Sequence, residues 1–164
     1  MLKIKLLNTR DSSADILLED LTSIDTDHTE VKPYHQELFR LCKEKHGVGV
    51  SANQVGLRKN FFFVTPGAQF PNKNGGRKHV AHLCINPTWK PEKGAILVDG
   101  VEGCLSIPGR EFVVQRYGAI RAKWTNAMGH SVEMKLKGKA ARVFQHEHDH
   151  LRGVVLFESG KEVK

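Results

Sequence analysis

Residues 140–151 read Ala-Ala-Arg-Val-Phe-Gln-His-Glu-His-Asp-His-Leu and carry His-Glu-x-x-His at positions 146, 147 and 150. Residues four apart on a helix lie one above the other on the same face, so His146 and His150 can share one metal ion. Glu147 stands next to the first of them and can reach a water on that ion, which is the arrangement of a metal-dependent hydrolase. With nine histidines in the chain, one of them His148 inside the motif, an exposed His-rich helix would look similar. A third ligand from elsewhere in the chain separates the two readings.

A length of 164 residues suits one domain, residues 1–164, with enough chain to bury a real core. The hydrophobic fraction of 40% and charged fraction of 26% fit a soluble globular protein. No apolar run approaches the ~20 residues that cross a bilayer, so no membrane partner is expected. The start, Met1 to Leu7, alternates apolar and basic residues and reads as a strand rather than a signal peptide. Cys42, Cys84 and Cys104 are too few and scattered for a disulfide framework, which implies a reducing, cytoplasmic setting and thiolates free to bind metal. The formal charge of +7 is dispersed, with no nucleic-acid motif. It reads as a solvated basic surface, with contact to an RNA-rich assembly as the alternative and no DNA partner.

Residues 8–30 are polar and read as loop with short turns. Pro33 opens a helix that Tyr34, Leu38, Leu41 and Cys42 line at helical spacing, and Gly47 sits past its end. Residues 47–56, Gly-Val-Gly-Val-Ser-Ala-Asn-Gln-Val-Gly, form a tight loop where backbone can approach closely; they lack the Lys-Ser/Thr ending of a phosphate loop. Strands are expected at Phe61 to Val64, Val80 to Ile85, Ala95 to Val101, Phe112 to Val114, Ala119 to Trp124 and Ser131 to Leu136. Asn86-Pro87 and Gly94 punctuate them, and residues 66–79 form an exposed loop. A second helix runs from Gly138 to Leu151 with Gly153 as its stop, and Val154 to Phe157 could add a last strand. The order predicts an α+β fold, with mixed, mostly antiparallel sheets around a central metal-binding helix.

A catalytic zinc-type site takes three protein ligands and leaves one position open. Cys104 is the candidate third ligand: Gly103 frees the backbone before it, and Pro108 ends any strand soon after. An ordinary core thiol remains the other reading of that position.

Three segments resemble the motifs of peptide deformylases, in the family's order and at similar spacing. Residues 47–54 are similar to Gly-x-Gly-x-Ala-Ala-x-Gln, with Ser51 exchanging one small side chain for another. Residues 102–106 match Glu-Gly-Cys-Leu-Ser, and residues 145–151 match Gln-His-Glu-x-x-His-Leu. The resemblance spans about residues 31–158 and implies removal of the N-terminal formyl group from formyl-methionine of nascent polypeptides. It implies that Cys104, His146 and His150 hold one divalent metal whose water attacks the formyl carbon, with Glu147 as general base and then acid. Gln54 and the Leu105 N–H would stabilise the oxygen that becomes negative. The substrate backbone would pair near Val48, Gly49 and Gly103, and its methionine would enter a pocket walled by Val143. Glu102 would form an ion pair with Arg116; an ordinary surface pair is the other reading of those two positions.

The ligand types suit zinc, whereas the resemblance implies ferrous iron, with nickel, cobalt or zinc able to substitute. Eleven residues follow Gly153, too short for a long basic C-terminal helix, so the sequence resembles shortened deformylases such as those of some phages. That implies the host cytoplasm for a phage-encoded member, a monomer, and any ribosome contact through another basic surface, with Lys73, Arg77 and Lys78 as candidates. The competing classes are a small metallopeptidase on the same helix and an RNA-binding module with a closed structural metal, which would need a fourth ligand from Cys42, Cys84 or His148.

Overall fold

The computed structural model describes residues 4–71 and 79–163. Among them are helices α1 (His28–Val31), α2 (His35–Glu44), α3 (Gly138–Leu151) and α4 (Leu156–Ser159). The strands are β1 (Gly49–Ser51), β2 (Phe61–Val64), β3 (His82–Pro91), β4 (Leu97–Cys104), β5 (Ile107–Tyr117), β6 (Ala119–Thr125), β7 (Ser131–Lys137) and β8 (Gly160–Glu162). A five-stranded sheet runs β1-β2-β3-β6-β7 and a three-stranded sheet runs β4-β5-β8, every pairing antiparallel. The α+β expectation is met.

Helix α3 sits where the two sheets meet. Ala140, Ala141, Phe144 and Leu151 join the core of the large sheet, and Phe144 meets Phe62 edge-to-face with ring centroids 5.0 Å apart. Burying an aromatic side chain of this kind contributes about 2 to 3 kcal/mol. Its other side faces the small sheet, whose own cluster joins Cys104, Ile107, Phe112 and Val114 to Leu17, Val155 and Leu156. Gln145 ties α3 to the end of β5: its Nε2 donates to Tyr117 O and its Oε1 accepts from Tyr117 N, at 2.9 and 3.0 Å. Gly153 closes the helix at φ +73°, and a Cβ there would lie 2.3 Å from Leu18 O, so both backbone angle and space require glycine.

The strands at 61–64, 119–124 and 131–136, the turn after 125 and both bounds of α3 match the sequence reading. Pro33 lies in a short 3-10 turn that leads straight into α2. Leu38, Leu41 and Cys42 are buried in the core, with Tyr34 packed against it.

Several expectations are corrected. Described residues 4–7 form no strand, because Leu7 N reaches Gln54 O and Thr9 N reaches Ser106 O, single bonds to two different partners. The loop at 47–56 contains the edge strand β1 and a 3-10 turn at Asn53–Val55. Strand β3 continues through Asn86-Pro87. Asn86 adopts φ 49°, which asparagine tolerates, and the register shift between Ile85 and Thr88 admits the proline. Strand β5 is far longer than Phe112 to Val114 and starts before Pro108. The segment at 154–157 leads into helix α4, and the last strand is β8; short apolar runs leave helix and strand undecided.

Candidate active site

Ten of the sequence-predicted site residues line one cleft of about 1400 Å³: Val48, Gly49, Gln54, Glu102, Gly103, Cys104, Leu105, Val143, His146 and Glu147. Cys104 ends β4, Gln54 follows β1, and the other reactive side chains stand on α3. His150 and Arg116 are buried. Lys73, Arg77 and Lys78 fall outside the described residues.

Sγ of Cys104 lies 3.2 Å from Nε2 of His150, which lies 3.2 Å from Nε2 of His146. These three are the one group of metal-competent side chains found among the described residues. A tetrahedral ion at ordinary zinc–nitrogen and zinc–sulfur lengths sets its donors roughly 3.3 to 3.6 Å apart, so the trio fits a single small cation. Burial works against the Cys104 thiolate, but His150 and His146 outweigh it and hold the thiol well below its usual range.

Glu102 accepts from Nε and Nη2 of Arg116 at 3.1 and 3.0 Å and from Nη1 of Arg142 at 2.8 Å. Burial alone would raise its carboxyl, but the hydrogen bonds of His146 and Arg116 prevail and lower it to about 2. Its Oε2 lies 2.9 Å from Nδ1 of His146. A carboxylate can only accept, so Nδ1 carries a hydrogen in this contact, and Nε2 is the atom that would offer its lone pair to a bound ion. The pair foreseen between Glu102 and Arg116 is thus buried, and Arg116 also bonds Asp149 of α3.

Glu147 is 3% exposed. Burial raises its carboxyl above the ordinary value, against the opposing charges of His146 and His150 and a hydrogen bond from Ser51. A Cβ on Gly49 would lie 2.4 Å from Glu147 Oε1, so the carboxylate occupies the space that a side chain at 49 would take. Gln54 Oε1 accepts from Ser51 N at 2.9 Å. That hold turns Nε2 toward Ser106 Oγ at 3.0 Å and Cys104 Sγ at 3.4 Å.

Sequence reasoning passed over several neighbours. Ser51 is no inert exchange of small side chains: its Oγ lies 2.7 Å from Glu147 Oε2 and 2.8 Å from Glu147 O. Asn53 donates to His150 O at 2.5 Å, Ser106 meets Gln54, and Arg142 holds Glu102. Asn53 and Ser106 lie within the motif segments, and Arg142 and Asp149 lie four before and three after His146; those positions were the available signal.

The candidates for a fourth ligand lie elsewhere. His148 is about 200° around the helix from His146 and lines a separate cavity of about 520 Å³ with Asn60, Asn86 and Trp89. Cys42 and Cys84 lie in the large core; burial, then the Glu147 charge, push the Cys42 thiol up to about 12 and Cys84 well above its ordinary value.

Residues 6–164 match the family model described as polypeptide deformylase. The chain belongs to the polypeptide deformylase family. The peptide deformylase of Aquifex aeolicus is 33% identical over 144 residues, covering 88% of this chain and 81% of the relative. Among solved structures, a probable peptide deformylase from Synechococcus phage S-SSM7 has a TM-score of 0.77 at 28% identity, covering 96% of this chain and 99% of that one. The Thermotoga maritima enzyme has a TM-score of 0.78 at 28% identity, covering 98% and 99%. This deformylase is a hydrolase that removes the N-terminal formyl group from nascent peptides. The matched region extends beyond the three motifs at both ends.

Proposed function

We propose that this deformylase works through one divalent ion held by Cys104, His146 and His150, ferrous iron in the native enzyme, with nickel, cobalt or zinc able to replace it. The observation that carries the reading is convergence: from three distant segments, a thiol, one imidazole, a buried carboxylate and a side-chain amide line one cleft, and the buried His150 Nε2 lies 3.2 Å from the thiol sulfur. When bound, the ion supplies Lewis acidity that lowers the pKa of water and polarises the formyl oxygen.

Glu147 takes a proton from the attacking water and delivers it to the leaving amine. Its burial favours the proton-carrying form and so suits both halves of that transfer. Gln54 Nε2 and Leu105 N–H donate to the formyl oxygen as charge builds on it, a contribution of several kcal/mol in such sites. Nδ1–H of His146 is held by Glu102, which is anchored by Arg116 and Arg142. The peptide backbone runs along Val48, Gly49 and Gly103, and the methionine side chain packs on Val143.

The chain works as one catalytic domain and as a monomer in the cytoplasm. Any ribosome contact uses a basic surface, consistent with the charge of +7. Formylated and unformylated methionyl peptides, assayed anaerobically with iron and with metal analysis alongside, test the reading. Formate release without peptide cleavage is expected; peptide cleavage, or turnover undiminished by chelation, overturns it.

A further inference from the structure

The Ser51 hydroxyl stands between two oxygens of a single residue. Its Oγ is 2.7 Å from Oε2 of Glu147 and 2.8 Å from the backbone carbonyl of that residue. Ser51 is fully buried, on β1, in a sheet that packs against α3. On the opposite side of the carboxylate, Oε1 lies against Gly49, which lines the cleft. The carboxylate is therefore gripped at one oxygen and turned outward at the other.

We propose that Ser51 is a positioning residue for the reaction: its hydroxyl fixes the rotation of the Glu147 carboxylate and so sets which oxygen meets the water and the amine. The inference rests on Glu147 as the proton carrier. A hydroxyl has one hydrogen and two lone pairs. Beside the charged carboxylate it donates to Oε2. When Oε1, the oxygen turned to the cleft, takes up the proton, Oε2 remains an acceptor for the same hydroxyl hydrogen. Both forms keep a partner with no heavy atom moving. An alanine at 51 leaves Oε2 buried without that donor and lets the carboxylate rotate. Geometry near a reacting atom is worth a large factor in rate even for small displacements.

The test is steady-state kinetics on metal-loaded Ser51→Ala and Ser51→Cys beside wild type, with bound metal and Tm measured on the same samples. For Ser51→Ala we expect kcat to fall by about tenfold, with KM, metal stoichiometry and cooperative unfolding retained. Ser51→Cys keeps the volume and supplies a weak S–H donor, and its kcat is expected between the two. Wild-type kcat in both variants overturns the inference, as does a fall in kcat matched by loss of metal or of folded protein. A wild-type enzyme that releases no formate sinks the proposed function instead, so the two failures are told apart.

Discussion

Oε2 of Glu102 lies 2.9 Å from Nδ1 of His146, and the same carboxylate receives the guanidinium groups of Arg116 and Arg142. One acidic side chain on β4 thereby connects a candidate ligand on α3 to β5 and to the start of the helix.

That carboxyl is lowered from 4.5 to about 2, as the hydrogen bonds to His146 and Arg116 outweigh burial. The unfolded chain holds its proton more tightly, so the stabilisation is complete above about pH 4.5 and is lost as pH falls toward 2. Its size is on the order of 3 kcal/mol. Urea midpoints at pH 6 and pH 3 should therefore converge for Glu102→Gln relative to wild type. An equal drop in both proteins refutes the assignment.

Glu147→Gln keeps the volume of the side chain and removes its ability to carry a proton. Metal content and fold should persist while kcat drops roughly 100- to 10,000-fold. Near-normal formate release would remove Glu147 from the proton-transfer role.

Stripping the metal leaves a low-pKa thiolate at Cys104 that borders the cleft, whereas Cys42 and Cys84 are buried with raised pKa values. Iodoacetamide at neutral pH should add one equivalent to the metal-free enzyme, at Cys104, and far less to the metal-loaded form. Peptide mapping decides it; labelling at Cys42 or Cys84 first would contradict the burial pattern.

Val143 borders the cleft one turn before His146. Val143→Phe should raise KM for formyl-methionyl peptides several-fold and affect formyl-alanyl peptides less. Equal effects on both would mean that the methionine side chain packs elsewhere.

Gly153→Ala brings a Cβ against Leu18 O at a positive φ. Tm should fall by roughly 5 °C or more, with activity per folded molecule unchanged. A neutral Tm would show that the Leu18 segment yields easily.

The helix bearing the histidines was legible because His146, Glu147 and His150 share a spacing that only a helix turns into a site, and Gly138 and Gly153 bracket it. Cys104 was legible only with its flanking residues, since a buried thiol resembles Cys42 and Cys84 in sequence. The connections among segments were not. Nothing in the order of residues places Ser51 beside Glu147 or Arg142 beside Glu102, because sheet register and the seat of α3 between two sheets decide those distances. Asn86-Pro87 reads as a strand terminator until the bulge that admits it is seen.

The pairs that assemble the cleft lie far apart along the chain: Ser51 with Glu147, Gln54 with Cys104, Glu102 with His146. Loop-closure entropy has to be met before any of them forms. A nascent copy of this enzyme lacks the candidate ligands on α3, His146 and His150, until most of the sequence has been synthesised. Competence to process other newly made chains therefore arrives late and all at once, and a truncated product that stops short of α3 holds no partial catalyst.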